Sequence, residues 1–313
     1  MRRGHEPATI AVVGGTADVH ARLRRVAQSL RASIALFPTV KEAIEHSPNW
    51  VLYIPNGEPQ VIDRRGRDRF FPLVALLPEP TDELPDADEV FLLDDLGVRV
   101  VSRLRTLRRT AGLLEEAVSS AGSNGRALQT MRRLAAAAES VEDRTGGHPL
   151  RVAALSRALA LKLGMEEREA DLVSASSLLH DLGKARIPSS LLSKPSKLTS
   201  EEYAIVQRHT EFGAAWLEGS ENELVRRSGV VARSHHERWD GSGYPDGLSG
   251  EQIPIESRVA AVADVFDALT SDRSYKPAWK PEQALREIEA GSGSQFDPNV
   301  VRALLSLADA RLR

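Results

Sequence analysis

The sequence has no cysteine among its 313 residues, which excludes disulfide bonds and thiolate metal ligands and fits a reducing compartment. It also lacks an excess of positive charge: the formal net charge of −3 at pH 7 argues against a protein that coats nucleic acid. No apolar run approaches the roughly 20 residues that span a bilayer. The N-terminal segment Met1–Pro7 lacks the apolar core of a signal peptide. These absences predict a soluble, cytoplasmic protein that binds neither nucleic acid nor a membrane.

The chain is long enough for two domains with separate cores, and residues 1–97 have the pattern of an α/β domain. Near-continuous apolar segments alternate with helical patterns, which is typical of a parallel sheet covered on both faces. The predicted strands are Thr9–Val13, Ile34–Phe37, Trp50–Ile54 and Leu73–Leu77. Helices are predicted after the first strand and near Val40–Glu45.

The order of these segments resembles the receiver domain of response regulators, which is a doubly wound parallel sheet. In that family an acidic pair follows the first strand, but Gly14-Gly15 stands here. Ile54 stands in place of the phosphoacceptor aspartate, and Leu77 and Leu93 occupy the positions of the switch threonine and the lysine. Because phosphoryl transfer requires the acceptor carboxylate and a Mg²⁺ site, the resemblance implies a receiver-like module that cannot be phosphorylated and serves protein interaction or dimerisation. An unrelated small α/β domain is the alternative.

Residues 98–141 are predicted to form one or two long helices that link the domains. Apolar residues there alternate between spacings of four and three, which is the pattern of a coiled-coil seam. They are Val100, Leu104, Leu107, Ala111, Leu114, Val118 and Ala121. A break at Gly122–Gly125 then shifts the phase. If the seam joins two chains, the protein is a parallel homodimer; the alternative is a helix packed along its own domain.

Residues 142–313 have an entirely helical pattern, and five histidines fall at or near the ends of its predicted helices. These are His148, His180, His209, His235 and His236, whereas the early His5, His20 and His46 have no ligand-like spacing. Asp264 lies in the apolar helical segment Val259–Asp267, where an unpaired carboxylate would be costly to bury. A metal ion, a cationic partner or a hydrogen-bond network would each offset that cost.

The predicted helices place the histidines as follows. A helix over 166–182 ends with His180-Asp181, and Gly183 is predicted to stop it in the left-handed conformation. One helix capped by Thr199 or Ser200 is predicted to carry both His209 and Trp216. Further helices are predicted near 222–236, 256–269, 281–290 and 298–311.

Residues 139–305 resemble the HD-GYP phosphodiesterases, a branch of the HD superfamily of metal-dependent phosphohydrolases. The resemblance rests on motifs in the expected order: His148, His180-Asp181 with Gly183-Lys184, His209, His235-His236, Gly243-Tyr244-Pro245 and Asp264. Several ordered motifs are far more specific than any one of them. The resemblance implies an all-α bundle of the HD type.

The resemblance also implies two divalent metal ions. One would be held by His148, His180, Asp181 and Asp264, and the other by Asp181, His209, His235 and His236. Imidazole and carboxylate ligands suit Fe or Mn and do not exclude Zn, Co or Ni. Some relatives hold a third metal with a glutamate four residues before the first histidine. Arg144 stands at that position, so two metals are favoured, although Glu142 or Asp143 could supply the missing ligand.

Four residues are expected to contact substrate. Lys184 follows His180 by one turn and is placed to stabilise charge that develops on a phosphate, next to the catalytic Asp181. Tyr244 lies between Gly243 and Pro245, so the loop can place a rigid phenol against substrate. Arg273 and Lys276 resemble the family's phosphate contacts, and without the resemblance they would be read as a solvated face. Asp267, one turn after Asp264, either orients a metal ligand or caps a neighbouring group, and both readings stay open.

The function that the resemblance implies is hydrolysis of cyclic-di-GMP to linear pGpG, with further hydrolysis to GMP left open. A catalytically weak cyclic-dinucleotide sensor or signalling interaction module is the main alternative. A hydrolase for another nucleotide, including cyclic GMP-AMP, is a further one, and the Gly-Tyr-Pro loop argues against mononucleotides. The expected partners are cyclic-di-GMP, a second copy through the linker helix, and signalling proteins through the N-terminal domain.

Overall fold

The computed structural model separates into two compact units, residues 1–115 and residues 116–313. The structure describes residues 8–45, 50–53, 73–77, 89–92, 101, 104–106, 109–110, 112–113, 124–138, 147–194, 196–272 and 277–311. Every helix within these ranges is too short or too polar to cross a membrane. The predicted division into 1–97, 98–141 and 142–313 stays a prediction.

In its described part, the N-terminal unit contains a parallel sheet with the strand order β2-β1-β3-β4-β5. Its elements are β1 Ala8–Val13, α1 Ala17–Leu30, β2 Ala32–Phe37, α2 Val40–Glu45, β3 Trp50–Tyr53, β4 Leu73–Leu77 and β5 Glu89–Leu92. Val12 of β1 pairs with Leu36 on one side and Leu52 on the other. The predicted parallel sheet is therefore confirmed, and β5 is a strand that the apolar pattern did not reveal.

Leu104, one residue of the predicted coiled-coil seam, is fully buried in the core of this sheet unit. It packs with apolar residues of α1, β3 and β4, including Leu23, Leu52 and Leu76. At this position the structure favours a helix that packs along its own domain over a coiled-coil seam between two chains. The other six residues of the predicted seam lie outside the described residues.

The described part of the C-terminal unit is helical, with no strand. Its helices are α3 Asn124–Ala138, α4 His148–Lys162, α5 Glu167–Ser177, α6 Ser189–Leu192, α7 Ser200–Gln207, α8 His209–Leu217, α9 Glu223–Ser234, α10 Ile255–Thr270, α11 Pro281–Ala290 and α12 Pro298–Arg311. Short 3-10 turns cover Leu182–Arg186 and Gly250–Gln252. The hydrophobic core of this unit joins α4, α5, α10 and α12 through residues such as Val152, Val173, Val262 and Val300. The last four predicted helices are confirmed to within a few residues.

The prediction of one helix over 166–182 is wrong, because α5 ends at Ser177. His180 and Asp181 lie in the turn that follows, and the 3-10 turn begins at Leu182. Gly183 is also not a left-handed cap, since its φ is not positive. A Cβ atom at Gly183 would overlap the carbonyl oxygen of His209 and lie 2.6 Å from the amide nitrogen of Gly213. Glycine is needed here because the backbone of the 3-10 turn touches that of α8.

The prediction of one helix carrying both His209 and Trp216 is also wrong. Thr199 caps α7 in a capping box with Glu202, and α7 ends at Gln207. After Arg208 a separate helix, α8, begins at His209. The interruption places the His209 ring so that its Nδ1 donates to the carbonyl of Val206 at 2.7 Å.

We expect Gly183→Ala to destabilise the C-terminal unit by roughly 1–3 kcal/mol or more, because the added methyl group forces two backbones apart. Gly229→Ala in α9 is the matched control: its Cβ would lie 3.4 Å from Cβ of Leu217 in α8, an ordinary contact, so stability should stay the same or rise slightly. Urea unfolding of chelator-treated protein measures both. Equal unfolding midpoints for the two variants would contradict the close approach.

Candidate metal centre

All of the predicted metal ligands converge in the C-terminal unit, where they form two groups. One group is His148, His180 and Asp264, and the other is Asp181, His209, His235 and His236. Within each group, one donor atom from every residue lies within 4.8 Å of the others. Two groups of imidazole and carboxylate donors at this spacing could hold metal ions.

Helix ends bring most of these side chains together. His148 and His209 are the first residues of α4 and α8, and His235 directly follows the last residue of α9. Asp264 differs, because it lies in the interior of α10. The predicted placement of the histidines at helix ends is confirmed.

Asp181 lies between the two groups. Its Oδ2 is 3.3 Å from Nε2 of His180. Its Oδ1 is 3.3 Å from Nε2 of His209 and 3.7 Å from Nε2 of His235. Although Oδ1 is buried, it accepts no well-formed hydrogen bond from any described residue. Leaving such an oxygen unsatisfied is costly, and a bound cation would remove that cost.

Hydrogen bonds fix the orientation of three imidazole rings. Nδ1 of His180 donates to the Ser177 carbonyl at 2.9 Å, Nδ1 of His209 to Val206 at 2.7 Å, and Nδ1 of His235 to Val231 and Ala232 at 3.1 Å each. Because a carbonyl oxygen only accepts, each Nδ1 carries a hydrogen, and Nε2 is the ring nitrogen that faces the cluster and could bind a metal.

The inward-facing nitrogens are close to one another. Nε2 of His148 lies 3.3 Å from Nε2 of His180, and Nε2 of His209 lies 3.4 Å from Nε2 of His235. Two lone pairs at this distance repel unless a proton or a cation lies between them. The paired rings therefore fit metal ligation within each group.

The carboxylates of Asp181 and Asp264 are both ionised at neutral pH. Burial acts to raise the pKa of Asp181, but the charges of Lys184 and His180 outweigh it and hold that pKa well below its ordinary value. Burial likewise acts to raise the pKa of Asp264, and the hydrogen bond from His148 with the charge of His180 lowers it instead. Ionised carboxylates are the form that binds metal.

His209 and His236 supply neutral donors. Burial lowers the pKa of His209 to about 3, against the opposing charge of Asp181. Burial, together with the neighbouring His235, also holds the pKa of His236 well below its ordinary value. Burial acts to lower the pKa of His180, but Asp181 raises it overall, so a metal there competes with a proton. Neutral imidazoles and carboxylates without thiolates suit divalent transition metals.

A protein-family model described as HD domain matches residues 129–300. The chain belongs to the HD domain family. The match confirms the resemblance to the HD superfamily, with bounds close to those predicted from the motifs. It covers the helices that carry the candidate ligands.

Two curated relatives of the chain carry phosphodiesterase names. Over 172 residues the chain is 47% identical to 3'3'-cGAMP-specific phosphodiesterase 2 of Vibrio cholerae, covering 55% of this chain and 33% of that protein. Over 180 residues it is 46% identical to the cyclic di-GMP phosphodiesterase response regulator RpfG of Xanthomonas campestris, covering 58% of this chain and 48% of that protein. The chain thus spans less than half the length of these relatives.

A solved structure of a cyclic GMP-AMP-specific phosphodiesterase of Vibrio cholerae is also similar. It matches with a TM-score of 0.44 and 24% identity, over 58% of this chain and 48% of that one.

Within the HD domain, Asp267 supports His148. Its Oδ2 accepts a hydrogen bond from His148 Nδ1 at 2.7 Å, and Arg151 donates to both carboxylate oxygens at 2.6 and 3.0 Å. Burial acts to raise the pKa of Asp267, but the hydrogen bonds from His148 and Arg151 lower it overall. Of the two readings left open by the sequence, the geometry matches a carboxylate that orients a metal-ligating histidine.

Lys184 lies beside Asp181. Its Nζ is 2.8 Å from Asp181 Oδ2, and its side chain is 20% exposed. The ammonium group therefore adds positive charge at the edge of the cluster, where solvent can reach it.

The Gly-Tyr-Pro loop returns to the cluster through Tyr244. The Tyr244 ring stacks on His236, with centroids 4.9 Å apart and planes 29° from parallel. The loop is held by Glu237, which is buried and accepts hydrogen bonds from the amides of Asp246 and Leu248 at 2.7 and 3.0 Å. The sequence assigned no role to Glu237, because its partners are backbone groups that no side-chain motif reveals.

Several predicted residues lie outside the described part of the chain. These are the substrate contacts Arg273 and Lys276, and Glu142, Asp143 and Arg144, which bear on a third metal. Their roles stay predictions.

We expect Asp267→Asn to weaken Mn²⁺ binding by roughly 10–100-fold, the usual cost of losing the partner that orients a ligand histidine. Asp171→Asn is the matched control, because Asp171 pairs with Arg157 and its side chain is 63% exposed. Titration against a fluorescent chelator measures both affinities. If Asp267→Asn binds Mn²⁺ as tightly as the control, Asp267 does not orient His148 for a metal.

Proposed function

We propose that the protein is a metal-dependent phosphodiesterase that opens cyclic-di-GMP to linear pGpG. The observation that carries this proposal is the position of Asp181, whose two oxygens face two different groups of ligand nitrogens. The names of the relatives support the substrate class, since both are phosphodiesterases of cyclic dinucleotides.

The proposed centre holds two divalent cations, with Fe or Mn favoured. His148, His180 and Asp264 would hold one, joined by Asp181, whose Oδ2 lies 3.3 Å from Nε2 of His180. Asp181, His209, His235 and His236 would hold the other. When bound, the cations neutralise phosphoryl charge and favour ionisation of the attacking water. A third ion is not favoured, because Arg144 stands where a glutamate would be needed.

The residues around this centre suit ring opening. The oxygen of water bonds to phosphorus, the bond from phosphorus to the ribose 3′ oxygen breaks, and that oxygen takes up a proton. Lys184, whose Nζ lies 2.8 Å from Asp181, is placed to stabilise negative charge on the phosphoryl oxygens. Tyr244 forms a wall beside His236 and positions the substrate against the cluster.

The test is turnover of cyclic-di-GMP by protein loaded with Mn²⁺, or with Fe²⁺ under anaerobic conditions, with products separated by chromatography. We expect pGpG to appear, a chelator to stop the reaction, and added metal to restore it. Asp181→Ala should lower turnover by more than the roughly 10–100-fold that loss of a supporting partner costs. Asp171→Ala, which removes an exposed carboxylate, should retain the parent rate. Tight binding of cyclic-di-GMP without product would instead indicate a sensor.

A second candidate substrate is 3'3'-cGAMP, because a relative named as specific for that compound is 47% identical over 172 residues. Parallel measurement of kcat/KM for the two cyclic dinucleotides decides between them. A higher value for 3'3'-cGAMP would replace cyclic-di-GMP as the substrate and keep the reaction class.

We also infer that the N-terminal unit is a receiver-like module without phosphoacceptor chemistry. The strand order β2-β1-β3-β4-β5 supports this, since it is a common order of doubly wound sheets. Gly14 and Gly15 follow β1 in place of an acidic pair, and the carbonyl of Gly14 accepts a hydrogen bond from His20 at 2.8 Å. Ile54 and Leu93 lie outside the described residues, and Leu77 ends β4.

Signalling partners, a homodimer and a cytoplasmic location stay predictions.

We expect no covalent phosphate on residues 1–97 after incubation with acetyl phosphate and Mg²⁺, because the acceptor carboxylate is absent. Intact-mass measurement checks this, with a phosphorylatable receiver domain as the positive control. A mass increase of one phosphoryl group that maps to this region would overturn the inference.

A further inference from the structure

Tyr203 is an exposed aromatic side chain near the proposed site. Its side chain is 48% exposed, and the other large apolar residues that are exposed in the described ranges are aliphatic. Single exposed apolar residues are common, so exposure alone assigns no role. The surroundings of this ring carry the inference.

Tyr203 continues a series of rings that begins at the metal ligands. His236 stacks with Tyr244 at a centroid distance of 4.9 Å. Tyr244 then meets Tyr203 edge to face, with centroids 6.5 Å apart and planes 81° from parallel. His236 and Tyr244 are half-buried whereas Tyr203 is exposed, so Tyr203 is the ring of this series with the most open surface.

The backbone that carries Tyr203 is held in place before any ligand binds. Its amide donates to the carbonyl of Thr199 at 2.9 Å in the first turn of α7. Glu202 accepts a hydrogen bond from the Thr199 amide at 2.8 Å and pairs with Lys194 at 2.6 Å. A preorganised aromatic residue loses little conformational entropy when a ligand stacks on it.

We propose that Tyr203 is a stacking platform for a purine base of the cyclic dinucleotide, a substrate class taken from the proposed function. Aromatic side chains bind unpaired bases through the π face that every base has. With the scissile phosphate at Asp181 and Lys184, the sugar carries the attached base away from the ligands. Tyr203 lies in that outer position, one ring beyond Tyr244. It therefore contributes to selection of a nucleotide over a simple phosphodiester.

The first test compares steady-state kinetics of the full-length, Mn²⁺-loaded protein. Tyr203→Ala should raise KM for the cyclic dinucleotide by roughly five- to 100-fold, which corresponds to loss of one base–aromatic stack. Tyr203→Phe keeps the ring and should stay near the parent value. Leu161→Ala, which removes another exposed apolar side chain at the far end of α4 from His148, should have no effect.

Methyl p-nitrophenyl phosphate separates base recognition from a general structural effect, because it is a phosphodiester without a purine. Its hydrolysis by Tyr203→Ala should equal that by the parent. An equal loss on both substrates would overturn the proposal, since Tyr203 would then act by supporting Tyr244. An unchanged KM for the cyclic dinucleotide in Tyr203→Ala would overturn it as well.

A binding measurement gives an independent readout. A cyclic dinucleotide with 2-aminopurine in place of one guanine loses fluorescence when that base stacks on an aromatic ring. Quenching should occur with the parent and Tyr203→Phe, and should be lost with Tyr203→Ala. Full quenching by Tyr203→Ala would contradict a stack on Tyr203 even if turnover continues. A parent that neither binds nor hydrolyses any cyclic dinucleotide would instead remove the proposed function, and this inference with it.

Discussion

The C-terminal unit is arranged around one buried carboxylate, that of Asp181, set among imidazole nitrogens. A buried anion is costly unless positive charge or hydrogen bonds compensate it. Here Oδ2 faces Lys184 and His180, whereas Oδ1 faces His209 and His235 without a well-formed hydrogen bond. The arrangement is incomplete as a hydrogen-bond network, and its oxygen and nitrogen atoms are spaced so that they could hold a metal ion. The helix ends, the supporting carboxylate of Asp267 and the Gly-Tyr-Pro loop are all arranged around the Asp181 carboxylate.

Small residues allow the elements that carry this ligand set to approach one another. The 3-10 turn after Asp181 touches the start of α8 at Gly183, where a Cβ atom would overlap the His209 carbonyl. A Cβ atom at Gly213 of α8 would lie 3.1 Å from Cβ of Ala232 in α9, the helix that ends before His235. Close packing of three backbones thus sets the distances among Asp181, His209 and His235. The geometry of the centre is a property of the packing as much as of the ligands.

The sequence was enough to predict the parallel sheet, most helices and the residues that converge in the centre. The residues of the centre could be predicted from their types and their order along the chain. His180-Asp181, His209 and His235-His236 form a recognisable series even when the ends of the helices are predicted wrongly. The sequence did not predict the end of α5 at Ser177 or the break at Arg208, because both depend on tertiary contacts that override helical periodicity. Glu237 and Asp267 depend on hydrogen-bond partners brought close by folding, so no local spacing could assign their contacts. The burial of Leu104 in the sheet core also depends on contacts made on folding, so the spacing of apolar residues could not predict it.

The candidate ligands are drawn from residue 148 to residue 264, so the site exists only when the helices from α4 to α10 have folded together. A metal that binds this site and not the unfolded chain stabilises the fold by mass action, by about 1.4 kcal/mol for each tenfold rise in free metal above the dissociation constant. Scarcity of the metal would then lower the amount of folded protein together with the occupancy of each molecule. The amount of folded protein and the turnover of each molecule would fall together. Total activity would therefore depend more steeply on metal supply than the metal occupancy of the site does.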